Sequence, residues 1–224
     1  MNGIVLPAAG LLLTLGAAGA ELAPLGSAQV GFRMHLGVVK DKGVDVTPED
    51  MASLAVTTNG AVVEAMWRGH PRFGADFTAT ATFTRQGEGW EYAFSWRNLD
   101  ERKLMVERVS FPDLVAPRTA RSGVLYSRRH GMGMVRRPDW GRLADDRPFL
   151  DTGLSEFQFT ALIDEEIGGW YVDARDPRAR CKNSYAACRP APGGARARIG
   201  ITAHMPATRA DTAAGSLPWK GRVA

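Results

Sequence analysis

A chain of 224 residues makes one large domain or two small ones, and falls short of a β/α barrel with any additions. Hydrophobic residues make up 45% and charged residues 23%, which excludes a disordered, collagenous or polytopic membrane protein; 25 Gly and 13 Pro point to many turns and an all-β chain. The net charge of +4 is unevenly spread, with eight Arg against three acids in residues 118–147 and ten Lys or Arg against two acids in residues 174–224. Such a footprint suits an anionic partner. An excess of Arg over Lys with abundant Ala, Gly and Pro is equally what a GC-rich genome writes into surface positions, and neither nucleic acid nor a membrane is expected as a partner.

The apolar stretch from Ile4 to Ala20 has two readings. As a signal peptide covering residues 1–20 it offers Ala18-Gly19-Ala20 for cleavage, but Met1-Asn2-Gly3 supplies no basic residue, and Pro7 and Gly10 interrupt the run. As a hairpin, Leu11, Leu13 and Leu15 form one arm, Gly16-Ala17-Ala18-Gly19 turns, and Glu21, Leu22 and Leu25 return as the partner strand. The first reading makes the protein secreted, the second cytoplasmic.

Beyond this stretch the hydrophobic period is two almost everywhere. Val30, Phe32, Met34 and Leu36 alternate with Gly31, Arg33 and His35, and Ala61–Trp67 is a further apolar run. Phe73, Ala75, Phe77, Ala79, Ala81 and Phe83 face one way while Asp76, Thr78, Thr80, Thr82 and Thr84 face the other. The turn Gln86-Gly87-Glu88-Gly89 leads into Trp90, Tyr92, Phe94 and Trp96, so residues 73–98 predict a long antiparallel hairpin with one oily face. Lys103–Phe111 continues the meander to Pro112, and 123–127, 156–164, 169–174 and 196–205 read as four more strands. Only Pro48–Ala55 looks helical, with Pro and acids at its start.

A long basic loop near 128–150 and a Pro/Gly-rich loop near 189–195 complete the chain. Roughly ten successive strands without intervening helices predict a large antiparallel β-sandwich over residues 1–224, a single domain with very little helix.

Chemical motifs are sparse. There is no Gly-x-Ser-x-Gly elbow, and His130-Gly131-Met132-Gly133-Met134 follows an Arg pair without the strand–helix context of a phosphate loop. Asp145-Asp146 and Glu165-Glu166 are neighbouring acids on single loops, whereas glycosidase carboxylates face each other across a cleft. Cys181 and Cys188 sit in a polar loop where one local disulfide would add little; zinc would need two more ligands, and His35, His70, His130 and His204 are scattered, so neither metal nor cofactor is expected. Trp67, Trp90 and Trp96 belong to strand patterns and read as core. Trp140, in the polar loop Arg137–Arg142, either stacks on a sugar or partner or caps the sandwich.

One resemblance organises the second half. Val109-Ser110-Phe111-Pro112, then His130-Gly131, then Glu156-Phe157-Gln158-Phe159-Thr160-Ala161-Leu162-Ile163-Asp164, then Gly168-Gly169-Trp170-Tyr171-Val172-Asp173-Ala174-Arg175-Asp176-Pro177 with Lys182 behind, resembles the N-terminal β-supersandwich, a galactose-mutarotase-like domain, of large glycoside-hydrolase-like proteins. Gly19-Ala20-Glu21-Leu22 leading to Phe32-Arg33-Met34-His35-Leu36 looks like the opening of such domains. The sequence departs from the pattern with Ile163 in place of an aromatic and with Ala174-Arg175 before Asp176, and it reaches Leu217-Pro218-Trp219-Lys220 about where the family enters its β/α barrel.

The resemblance implies a non-catalytic accessory sandwich that packs on a catalytic barrel lying outside this chain and contacts carbohydrate. None of the family's catalytic residues falls within this chain. Trp140, His130, Trp170, Asp176 and Lys182 are the candidate carbohydrate or interface residues, the last two marking a loop at the face that meets the catalytic domain and leaves an exposed patch there. The alternatives are a mutarotase-like enzyme, using His130 or His204 with Glu156 as acid and base, and a module that binds an anionic partner through its Arg-rich loop.

Overall fold

The computed structural model describes residues 4–6, 11–13, 28–38, 41–87, 89–97, 104–128, 131–136, 148–151, 158–164, 168–176, 182–191, 194–205, 214–217 and 220–224. Its strands begin with β1 (Ile4–Leu6), β2 (Leu11–Leu13), β3 (Ala28–Val38), β4 (Asp41–Val46), β5 (Ser53–Asn59) and β6 (Val62–His70). Then come β7 (Gly74–Gln86), β8 (Gly89–Arg97), β9 (Leu104–Pro117), β10 (Gly123–Arg128), β11 (Gly131–Arg136) and β12 (Pro148–Asp151). The last are β13 (Phe159–Asp164), β14 (Gly168–Asp173), β15 (Lys182–Ala191), β16 (Gly194–His204), β17 (Ala214–Ser216) and β18 (Gly221–Val223).

These strands build two antiparallel sheets packed as a sandwich. The larger, of eleven strands, runs β1-β5-β6-β7-β8-β18-β14-β13-β10-β11, with β17 also on β8; the smaller, of seven, runs β12-β15-β16-β9-β3-β2, with β4 also on β3. The expected ribbon of residues 73–98 is the β7–β8 pair in the interior of the larger sheet. Gly87 supplies the left-handed conformation of its turn at φ +60°. Phe77, Phe83, Tyr92, Phe94 and Trp96 are all at most 3% exposed, and Thr78, Thr80 and Thr82 lie on the opposite face. Ala75, at the strand's start, stays exposed.

Aromatic rings join the sheets at the centre of the core. Phe32 of β3 meets Trp67 edge-on at 5.2 Å and Phe94 at 5.4 Å, and Phe111 of β9 stacks on Phe94 at 4.5 Å with Tyr92 against its edge at 5.4 Å. Beyond the area they bury, such pairs each contribute about 0.5–1.5 kcal/mol. Trp67 and Trp96 are core residues as expected, and Trp90 is partly buried, packed against the core.

Several sequence expectations are corrected. Pro48–Asp50 is a single 3₁₀ turn, in which the Asp50 carboxylate accepts the Thr47 amide (2.8 Å) and hydroxyl (2.9 Å); from Ser53 the chain is strand β5, because Leu54 must enter the core. Pro112 does not end its strand. Three steps of β9 from Ser110 to Asp113 face two of β16 from Thr202 to Gly200 and two of β3 from Arg33 to Gly31, so Pro112 occupies a bulge, where its missing N–H breaks no ladder. The basic loop contains β11 and β12, and Cys188, expected in a loop, lies in β15 opposite Ala197. Leu11–Leu13 pairs with Ala28–Val30 of β3, whereas the partner arm at Glu21–Leu25 lies outside the described residues. Around the point where a barrel was expected to begin, β17 and β18 complete the larger sheet on the edge of β8.

Candidate functional site

The segment from Gly168 to Lys182 runs from the larger sheet to the smaller. Gly168 starts β14 at φ +83°, after which Trp170 and Val172 alternate into the core at 3% and 0% exposure while Tyr171 and Asp173 face outward. Ala174 continues the inward face, Arg175 bridges to Lys220, and Asp176 turns inward again. Lys182, at the start of β15, is registered with Ala203, whose side chain lies in the core, so it too points between the sheets. Its Nζ stands 2.6 Å from Asp176 Oδ2, with the two side chains 1% and 0% exposed. Each charge compensates the other inside the sandwich.

The sandwich interior is polar at this end. Ser184, the next inward residue of β15, donates to the Phe159 carbonyl of β13 at 3.3 Å, tying the smaller sheet to the backbone of the larger. Thr160 Oγ1 and Gln158 Oε1 are buried nearby with no hydrogen-bond partner among the described residues. Trp170 does not join this group. It pairs with Leu162 at the opposite end of β14 and packs into the core. Of the candidates singled out by sequence, the fold thus brings together Asp176 and Lys182, both turned inward, so the loop presents neither charge at a surface. His130, Trp140 and Glu156 lie outside the described residues.

Asp173 is a second junction. Its carbonyl accepts the Tyr92 hydroxyl at 2.6 Å, and its carboxylate accepts the Arg222 amide at 2.6 Å and the Tyr171 hydroxyl at 3.2 Å. Burial, then the adjacent carboxylate, push the Tyr171 hydroxyl up to about 12, since both disfavour the phenolate. The arrangement fastens β14 to β8 through the short strand β18.

A third polar group was invisible to sequence reasoning. Arg198 of β16 donates through Nε and Nη2 to the two oxygens of Asp113 on β9, Tyr185 of β15 donates to the same carboxylate at 2.7 Å, and the guanidinium lies 5.7 Å from the Tyr185 ring centre. Arg198 is 2% exposed. Its strand alternates Ala197, Ile199 and Ile201 inward, so an Arg between them reads as a solvated face; only the closeness of Asp113 and Tyr185 makes it a buried one.

The described histidines have separate surroundings. His35 Nδ1 is 2.7 Å from Asp45, with its Nε2 3.6 Å from Glu107; His204 Nε2 is 2.9 Å from Asn183 Nδ2. His70 accepts the Arg72 amide at Nδ1 (3.1 Å) and stacks on Phe73 at 4.5 Å. Burial is the largest influence holding the His70 pKa below its usual value; Asp50 opposes it and Arg72 assists it.

No protein-family model matches this chain, and no curated protein matches it. Among solved structures it is similar to the α-N-acetylgalactosaminidase NagBb from Bifidobacterium bifidum. The ligand-free form matches 99% of this chain and 34% of its own at 13% identity and a TM-score of 0.51. The complex with Gal-NHAc-DNJ matches 89% and 31% at 12% identity and 0.52, and the GalNAc complex 93% and 32% at 13% identity and 0.50. This chain therefore spans about a third of the glycosidase chains it matches, and the likeness is one of fold.

Proposed function

We propose that this chain is an accessory β-sandwich of a glycoside hydrolase, which packs on a catalytic domain and contacts carbohydrate. The observation that carries the reading is the coverage: 99% of the chain superposes on 34% of a glycosidase, leaving that enzyme's remaining length for other domains. The catalytic carboxylates belong to such a domain, outside residues 1–224. In this reading Asp176 and Lys182 act from inside the sandwich. Their ion pair ties the end of the stretch after β14 to the start of β15, and this side of the sandwich is the one that meets the catalytic domain.

Two measurements test the reading. The coding sequence flanking this chain, or adjacent to it, is expected to encode a β/α-barrel glycosidase domain; a gene with no such neighbour overturns the proposal. The purified chain is expected to leave a chromogenic α-N-acetylgalactosaminide unhydrolysed. Turnover abolished by Glu156→Gln or Asp176→Asn would make the chain an enzyme in its own right.

A further inference from the structure

The outward face of the β7–β8 ribbon carries a groove of about 550 Å³, within the roughly 300–1,000 Å³ usual for small-molecule sites. Thr80 and Thr82 of β7 and Ala93 and Ser95 of β8 form its floor, and Ser216, Leu217 and Lys220 form one wall. The ladder register sets Thr80, Ser95 and Ser216 side by side across three strands, placing their hydroxyls in one row. Ala93 stands beside Thr82 in the next row, and its small side chain lets the floor dip.

The wall is anchored at both ends. The Leu217 amide donates to the Phe94 carbonyl at 2.9 Å, and the Lys220 carbonyl accepts the Arg175 amide at 2.8 Å. The strands β17 and β18 both pair with β8, so paired strands flank the groove on this side.

Elsewhere several hydroxyls are engaged by protein partners. Ser110 and Thr202 satisfy each other at 2.7 Å, Thr119 bonds Asp164 at 2.6 Å, and Ser184 bonds a carbonyl. Among the described residues, none engages the hydroxyls of Thr80, Thr82, Ser95 or Ser216. Lys220 is the one charged side chain lining the groove among the described residues, and Glu91 neutralises it at 2.9 Å.

We infer that this groove binds a neutral polyhydroxylated ligand, a saccharide unit. Each hydroxyl both donates and accepts, as do the hydroxyls of a sugar, and Ala93 offers apolar contact to the C–H face of its ring. Among the described residues, an anion would find the one lining cation already paired. The inference rests on the accessory-domain reading above and gives its carbohydrate contact a place.

The test is titration of the purified chain with N-acetylgalactosamine, galactose and glucose, and in parallel with inorganic phosphate, followed by ligand-observed NMR. At least one sugar is expected to bind and phosphate is not. Ala93→Trp, which fills the dip from the solvent side, should abolish binding with an unchanged melting temperature; Ser95→Ala and Thr82→Ala should each weaken it about three- to tenfold, the loss of one hydrogen bond. Thr57→Ala, on exposed β5, should change nothing. Sugar binding that survives Ala93→Trp overturns the site and leaves the accessory-domain reading intact. Binding of phosphate alone, or of no sugar, overturns the inference, while the domain reading stands or falls on its gene neighbourhood.

Discussion

Lys182 Nζ sits 2.6 Å from Asp176 Oδ2 with both side chains sealed inside the sandwich, so the two ends of the connection from β14 to β15 are held by a pair of opposite charges. Removing one partner takes this opposite charge away from a charge that stays buried. Asp176→Ala is expected to destabilise the fold by about 3–5 kcal/mol, and Asp176→Leu with Lys182→Met to recover most of that loss. Urea unfolding midpoints at unchanged m-value check both; a double variant no more stable than the single one would contradict the account.

The Asp113 carboxylate accepts from both Arg198 and Tyr185, which ranks their variants. Tyr185→Phe removes one hydrogen bond to a charged group and should cost about 1.5–3 kcal/mol. Arg198→Met, which removes the two guanidinium hydrogen bonds to the buried carboxylate, should cost about 3–5 kcal/mol. Chemical denaturation of the two proteins side by side decides the order.

Gly221 lies where β18 threads between β8 and β14, and a Cβ there would meet the Asp173 carbonyl and the Tyr92 ring. Gly221→Ala should therefore cost about 1–3 kcal/mol by overpacking. Hydrogen exchange is expected to speed up first at the Arg222 amide, which Asp173 accepts.

Burial, then the Asp173 carboxylate, push the Tyr171 hydroxyl up to about 12, above its ordinary 10.0. The folded state therefore keeps the phenolic proton over a range where the unfolded chain has lost it. The stability this confers is complete below the unfolded value and disappears as the pH rises through the folded one. Melting temperatures between the two values should fall less steeply in Tyr171→Phe, and ultraviolet titration of the phenolate should show the late ionisation directly.

His70 has the opposite sign. Burial holds its folded pKa below the ordinary 6.5, so the unfolded chain binds the proton first on acidification. Its contribution to stability is complete above the unfolded value and is lost as the pH falls through the folded one. His70→Gln should flatten the acid limb of a melting-temperature profile, and imidazole NMR should show His70 protonating below an ordinary histidine.

The pleat itself made much of this fold readable. Phe77 to Phe83 and Tyr92 to Trp96 alternate with threonine and other residues of the opposite face, and successive strand side chains must point to opposite sides, so their burial followed from local pattern alone. The same rule was silent on β15. Its stretch Ser184–Ala187 is buried on both faces, and a strand covered on both sides loses the alternation that would announce it. Asp176 and Lys182 were singled out from sequence as one loop, but their inward direction depended on the parity of each strand and on Ala203 opposite Lys182.

The sequence by itself determined the all-β class, the β7–β8 ribbon and which faces carry the core, because these depend on a period of two within one segment. Tertiary structure alone decided that Leu11–Leu13 pairs with β3, that β17 and β18 close the larger sheet on β8, and that Arg198 meets Asp113 from 85 residues away. The reason is that backbone N–H and C=O groups are identical in every strand. A pattern can state which side chains go inside, but the choice of neighbour is made only when two complementary faces pack, and the buried charge pairs and the hydroxyl-lined groove are consequences of that choice.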